Sequence, residues 1–202
     1  MSKLEFFFDC SSPWTYLAFS RIQAVADAAR AEIIWRPILV GGVFNAVNLA
    51  VYERRAKPEP RQRDYYNKDM QDWAAYCGVE IVWPPRVFPV NSVAAMRGAY
   101  FAIDQRRLPA YAKAVFEAYW GRDEDISDRA VLAGCARNAG LDVAAFAQAL
   151  EDPANKARLR QATDELIERG GFGSPTMFVG RDMYFGNDRL PLVAAALERA
   201  AS

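Results

Sequence analysis

The 202-residue chain contains no histidine. That absence removes Ser-His-Asp and Cys-His nucleophiles, an imidazole general base, and the commonest zinc and non-haem iron ligand sets, so no metal site is expected. Chemistry must run on carboxylates, Lys, Tyr, Ser or Cys, or on a group borrowed from a cofactor. Cysteine is scarce as well. Cys10, Cys77 and Cys135 are odd in number and widely spaced, with no C-x-x-C pair, which argues against a disulfide framework, a zinc ribbon or an intrinsic dithiol redox centre. Net charge is lacking too, with 25 basic residues against 25 acidic, which disfavours an electrostatic nucleic-acid binder. No run of 18 apolar residues is present to span a membrane. In the opening MSKLEFFFDC, Asp9 interrupts a short apolar run, so a signal peptide is not expected and the cytoplasm is the default compartment.

What is there is 52% hydrophobic, 13% aromatic and 25% charged, with length for one domain or a domain carrying one sizeable insertion. Residues 4–8, LEFFF, read as a central strand. Ser11 and Ser12 precede Pro13, the preferred opening of a helix, which runs to about Arg30. EIIWR at 32–36 reads as a second strand, giving a βαβ unit with parallel strands. Gly41-Gly42 opens a loop or short helix, and 53–63 reads as a polar, proline-broken connection. Helices are predicted near 61–77, 91–106 (capped at Asn91 or Ser92), 109–120, 127–139 (opened at Ser127), 142–150 (capped at Asp142) and from Asp152-Pro153 to about Arg169. Strands at Thr176–Val179 and Met183–Phe185 and a terminal helix from Arg189 to Ala200 close the chain.

So short a C-terminal hairpin cannot bury itself and must add to the N-terminal sheet. The order β-α-β, helical block, β-β-α is that of an α/β, thioredoxin-like fold with a large all-helical insertion. The sheet unit is expected at 1–41 and 166–202, and the inserted unit at 42–165.

Three short motifs are candidates for chemistry. Ser12 stands at the N-terminus of the first helix, beyond the carboxyl end of the first strand, where unpaired N–H groups favour an anion such as a thiolate. With no cysteine there, the site suits another molecule's thiolate; a plain N-cap is the structural alternative. Gly173-Ser174-Pro175-Thr176 precedes the hairpin, where an X-Pro bond can be cis or form an ordinary trans turn. Asn187 or Asp188 can cap the last helix, or together hold a zwitterionic α-amino acid head. Cys10 reads as a small buried filler.

In combination, FFFDCSSPWTYLA at 6–18, RPILVGGVFNAVN at 36–48, FPVNSVAAMR at 88–97 and GFGSPTMFVG…MYFGNDRL at 171–190 resemble the glutathione-dependent 2-hydroxychromene-2-carboxylate isomerases and the related kappa-class glutathione transferases, a DsbA-like branch of the thioredoxin superfamily. The resemblance spans nearly the whole chain. It implies glutathione as cofactor, Ser12 as the catalytic serine that hydrogen-bonds its sulfur, Ser174 and cis-Pro175 against its cysteinyl group, and Asn187 with Asp188 on its γ-glutamyl end. Ser12 and Thr15 also fall where a disulfide oxidoreductase has the cysteines of C-P-x-C, so a dithiol role is lost. The implied reaction interconverts 2-hydroxychromene-2-carboxylate and trans-o-hydroxybenzylidenepyruvate through reversible thiolate addition to the enone, with no need of histidine. Such a substrate asks for an apolar pocket with a few polar groups; Trp14, Phe44, Tyr65, Trp83 and Phe88 are the candidate walls, and Asn48, Arg61 or Arg63 the candidate carboxylate partners. The charge the family often carries as Lys on the first inserted helix has no clear equivalent among Arg61, Arg63 and Lys68. A homodimer is implied by the resemblance alone. A kappa-type transferase acting on electrophiles and a non-catalytic thioredoxin-like binding module are the alternatives.

Overall fold

A computed structural model describes residues 2–201; the end residues 1 and 202 of the expected sheet unit lie outside it. The N-terminal elements are β1 (Lys3–Phe8), α1 (Pro13–Ala28) and β2 (Glu32–Pro37). The helical stretch holds α2 (Val40–Val47), α3 (Ala50–Ala56), α4 (Pro60–Cys77), α5 (Val93–Asp104), α6 (Leu108–Phe116), α7 (Arg129–Asn138), α8 (Val143–Glu151) and α9 (Pro153–Glu168). Then come β3 (Thr176–Val179), β4 (Asp182–Phe185) and α10 (Leu190–Ala201). The strands form one sheet in the order β2-β1-β3-β4. β1 runs parallel to β2 and antiparallel to β3, so the hairpin does add to the first sheet. This is the thioredoxin-like arrangement with helices between the two halves. α2 and α9 run across the expected boundaries at 41/42 and 165/166.

Alternation along β1 assigns its faces. Phe6 and Phe8 stack with each other and meet Trp35 of β2 edge-on, and Phe19 of α1 closes on Trp35. On the opposite face Phe7 packs edge-on against Phe178 of β3, beneath the guanidinium groups of Arg36 and Arg169. Arg169 pairs with Glu5 at 2.8 Å and with Glu165 of α9 at 3.1 Å, tying α9 to that face. β1 is thus central and covered on both sides, as its run of three phenylalanines predicts.

Several boundaries differ from the sequence expectation, each for a local reason. The connection expected at 53–63 is only residues 57–59, because α3 extends to Ala56 and Pro60 opens α4 with the Glu59 carboxylate accepting the Gln62 N–H at 2.9 Å. α7 opens at Asp128 rather than Ser127: Asp128 accepts the Ala130 N–H at 2.7 Å, while the Ser127 hydroxyl is taken by Asp125 at 2.6 Å. The helix expected over 109–120 changes at Glu117 into a π-helical turn, Glu117–Gly121. That turn carries Trp120, whose indole N–H donates to the Cys10 carbonyl at 2.9 Å. Asn187 and Asp188 lie within a 3₁₀ turn, Asn187–Arg189, that leads into α10; Gly186 is the residue before it. Among the described residues no helix is long and apolar enough to cross a membrane.

The helices cross α5 closely at Gly98, where an added Cβ would stand 2.5 Å from Phe146 Cε2 and 2.6 Å from Tyr111 Oη. Gly98→Ala is therefore expected to overpack the junction of α5, α6 and α8 and lower stability by about 1–3 kcal/mol. The urea midpoint measures it, and an unchanged or higher midpoint would contradict that packing.

Candidate active site

The strand registers explain why distant residues converge. Phe7 pairs with Thr176, and Thr176 pairs with Phe185. Carried two residues past the ladders, the same registers set Asp9, Ser174 and Asn187 in one row beyond the carboxyl end of β1. Hydrogen bonds hold the row: the Asp9 N–H donates to Ser174 Oγ at 3.0 Å, and the Gly186 N–H donates to the Pro175 carbonyl at 3.1 Å. The Ser174-Pro175 peptide is cis.

Ser12, 8% exposed, is the N-cap of α1. Its Oγ accepts the Thr15 N–H at 3.2 Å and donates to the Ser174 carbonyl at 3.0 Å. The cap and the contact with the proline loop are therefore made by one hydroxyl. Thr15 Oγ1 and Ser174 Oγ lie 2.7 Å apart, so Thr15 braces the proline loop. No acidic side chain occupies the first turn of α1, which leaves its partial positive charge uncompensated by the helix itself.

Asp9 is the buried carboxylate of the corner. Oδ1 accepts the Ser11 N–H at 2.9 Å, and Oδ2 accepts the Val40 N–H at 2.9 Å and the Ser92 hydroxyl at 3.0 Å. It thereby joins β1 to the start of α2 and to the head of α5. Ser92 consequently does not cap α5 with its side chain; Asn91 Oδ1 accepts the Val93 N–H instead, at 3.1 Å. Burial raises the Asp9 carboxyl above its ordinary 3.8, and the donated hydrogen bonds offset part of that. Burial also pushes the Cys10 thiol well above 9.0, which suits an inert filler.

Asn187 is 3% exposed. Its backbone carbonyl accepts from Arg21 at 2.8 Å, and Arg21 lies over the Trp73 ring at 5.1 Å. Its side-chain amide nitrogen is buried with no hydrogen-bond partner. Asp188 is half-exposed and ion-paired with Arg189.

A chain of aromatic rings runs away from Ser12. The Trp14 indole N–H donates to Tyr66 Oη at 2.9 Å; Tyr66 meets Trp83 at 5.6 Å, and Trp83 meets Phe88 at 5.1 Å while stacking on Trp120 at 6.0 Å. The Arg55 guanidinium lies over both Phe88 and Phe44. Four of the eight expected pocket residues, Trp14, Phe44, Trp83 and Phe88, are thus brought into one wall. The other four are not. Tyr65 is 67% exposed on α4, and its neighbour Tyr66 takes the inward position. Arg61 and Arg63 are exposed on the same helix, with Arg63 paired to Asp64 at 3.1 Å. Asn48 Nδ2 donates to the Phe172 carbonyl at 3.1 Å, beside the proline loop. Asp9, Tyr66 and Arg55 are the residues that sequence reasoning missed. The Tyr65-Tyr66 pair was the available signal, since adjacent helical positions differ by about 100° and only one can face inward. A separate cavity of about 670 Å³ between α1, the end of α4 and the π-helical turn is lined by Tyr16, Phe19, Cys77, Glu80, Glu117 and Arg122 among others, and shares no residue with this corner. Among the described residues no group of three Cys, Asp or Glu side chains is placed to hold a metal.

The family profile of the DSBA-like thioredoxin domain matches residues 3–198. The 2-hydroxychromene-2-carboxylate isomerase of Pseudomonas putida is 32% identical over 197 residues, covering 97% of this chain and 94% of the relative. Glutathione S-transferase kappa 1 of Homo sapiens is 26% identical over 211 residues, covering 96% and 90%. A solved structure of a 2-hydroxychromene-2-carboxylate isomerase has a TM-score of 0.83 at 32% identity, covering 98% of this chain and 95% of that one.

Asp9 generates a pH prediction. A carboxyl whose folded pKa is raised contributes stability that is complete below its unfolded value and is lost as pH rises through the folded one. The urea midpoint of the native chain relative to that of Asp9→Asn, followed from pH 3 to 7, is expected to fall through that window. A difference that stays constant or rises with pH would contradict the raised Asp9 carboxyl.

Proposed function

From a chain that belongs to the DSBA-like thioredoxin family, and within it to the 2-hydroxychromene-2-carboxylate isomerase branch, we propose a glutathione-dependent isomerase interconverting 2-hydroxychromene-2-carboxylate and trans-o-hydroxybenzylidenepyruvate. The observation that carries the reading is the buried Ser12 hydroxyl, held at a helix N-terminus against the Ser174 carbonyl. Glutathione is tested by the residues themselves. The unpartnered amide nitrogen of Asn187 is a buried donor that calls for an acceptor, and the carboxylate of a γ-glutamyl head is one. Asp188 supplies the opposite charge for the ammonium, exchanging its surface pairing with Arg189.

Bound glutathione supplies a thiolate that adds reversibly to a conjugated double bond and so lets it rotate. The chain's own part is electrostatic. Ser12 can turn its proton from the Ser174 carbonyl toward the sulfur, and the α1 terminus favours the anion. Thr15 and Asp9 hold Ser174 so that its carbonyl stays in register with an extended ligand. Trp14, Tyr66, Trp83 and Phe88 offer the apolar, aromatic lining that an aryl substrate needs. In this reading the sheet unit expected at 1–41 and 166–202 faces glutathione, and the helical unit at 42–165 faces the aromatic carboxylate. The reading further takes the protein to be a cytoplasmic homodimer, which light scattering of the purified chain examines for assembly.

The deciding experiment follows the chromene-to-benzylidenepyruvate conversion by absorbance with and without glutathione, beside an aryl-halide conjugation assay. Isomerisation that requires glutathione is the expected result. Conjugation alone would make the chain a kappa-type transferase, and neither activity would leave a binding module. Ser12→Ala is expected to lower turnover about 10²-fold or more while costing about 1 kcal/mol of stability as a lost cap. Unchanged turnover would reduce Ser12 to a cap. Asp188→Ala is expected to raise KM for glutathione more than it lowers kcat; the reverse pattern would remove the γ-glutamyl assignment.

A further inference from the structure

The aromatic wall carries a cation that the Ser12 corner does not use. Arg55, near the end of α3, holds its guanidinium 5.3 Å from the Phe88 ring centroid and 5.5 Å from that of Phe44. On α4, Arg63 is paired with Asp64 and Lys68 with Asp72, and Arg61 is exposed. Among the described residues no carboxylate pairs with Arg55. Its charge also reaches the phenols of Tyr66 and Tyr119, opposing the burial that raises their pKa, so it faces the wall rather than only the solvent.

A guanidinium lying on rings keeps the N–H groups at its edge for an acceptor. Those groups form a rigid fork that matches a carboxylate bidentately. A flat aryl group against Phe44, Phe88 and Trp83 would place an attached carboxylate at that fork. The structural alternative is that Arg55 only pins the segment around Phe88 to α2, or sits as a favourable cation in the last turn of α3.

We infer that Arg55 determines specificity for an aryl carboxylate, taking the carboxylate of the second substrate while its ring lies on the Phe44, Phe88 and Trp83 surface. The inference rests on the reading proposed above. It assigns to α3 the role that the sequence offered to Asn48, Arg61 or Arg63, all of which the structure turns to other partners or to solvent.

The test uses the full-length chain and the intrinsic fluorescence of Trp14 and Trp83, titrated with trans-cinnamate and with its neutral methyl ester. The native chain is expected to bind cinnamate at least about 10-fold more tightly than the ester. Arg55→Gln is expected to weaken cinnamate binding roughly 10- to 100-fold, the range for a charge-assisted hydrogen bond, with the ester little affected. Arg55→Lys should restore part of the preference. In turnover assays the KM for the chromene should rise by a similar factor, with smaller changes in kcat and in KM for glutathione. Equal affinity of the native chain for cinnamate and ester would overturn the inference. Equal weakening of both ligands in Arg55→Gln would also overturn it and leave the pin. If the cinnamate preference depends on Arg55 but no isomerisation occurs, the isomerase reading falls and the carboxylate assignment stands. If isomerisation occurs and its chromene KM is indifferent to Arg55→Gln, the assignment alone falls.

Discussion

The hydrogen bonds converging on Ser174 are the constraint on which the rest of the site depends. Its Oγ accepts the Asp9 N–H and meets the Thr15 hydroxyl, and its carbonyl accepts the Ser12 hydroxyl. These contacts join residues 159 to 165 positions apart in the chain. All four residues are buried, and an unmet polar group there costs about 1–3 kcal/mol. The corner can therefore close only when β3 docks on β1 in its observed register. Folding the sheet and forming the site are the same event.

From that corner the remaining parts take their places. Asp9 reaches in the other direction, to the start of α2 and to Ser92, and so fixes the helix carrying Phe44 relative to Ser12. Trp120, from the π-helical turn, donates to the Cys10 carbonyl and stacks on Trp83, which seats the aromatic wall against the same strand end. A chain without histidine thus builds this corner from hydroxyls, backbone groups and a helix terminus, the groups that the proposed reading turns toward a thiolate. Its net charge of zero fits a small ligand held by local dipoles.

Much of this was legible in the sequence. The phenylalanines of β1, the Ser12-Pro13 helix start and the spacing of the C-terminal hairpin specify the sheet and the position of Ser12, because each acts through local geometry. The short connection before Pro60 and the opening of α7 at Asp128 were missed, since several neighbouring residues could serve as caps and only one does. Trp120's role was hidden because a π-helical turn has no distinct periodicity in a short segment. The inward turn of Tyr66 in place of Tyr65 is not legible because the rotation of α4 is set by packing against α1, which a single sequence does not display. Arg55 lies in the stretch that reads as a polar, proline-broken connection, and its pairing with two distant rings is tertiary. Asp9 looked like a strand terminator, and its three acceptor contacts come from segments up to 83 residues away.

The central claim is that the Ser12 corner stabilises a thiolate brought by glutathione. Its most direct measurement is the ultraviolet thiolate absorbance of glutathione bound to the purified chain, titrated against pH. The account predicts ionisation below the range of a free thiol, about 8.5, and a return toward that range in Ser12→Ala. A bound thiol that titrates like free glutathione in the native chain would contradict it.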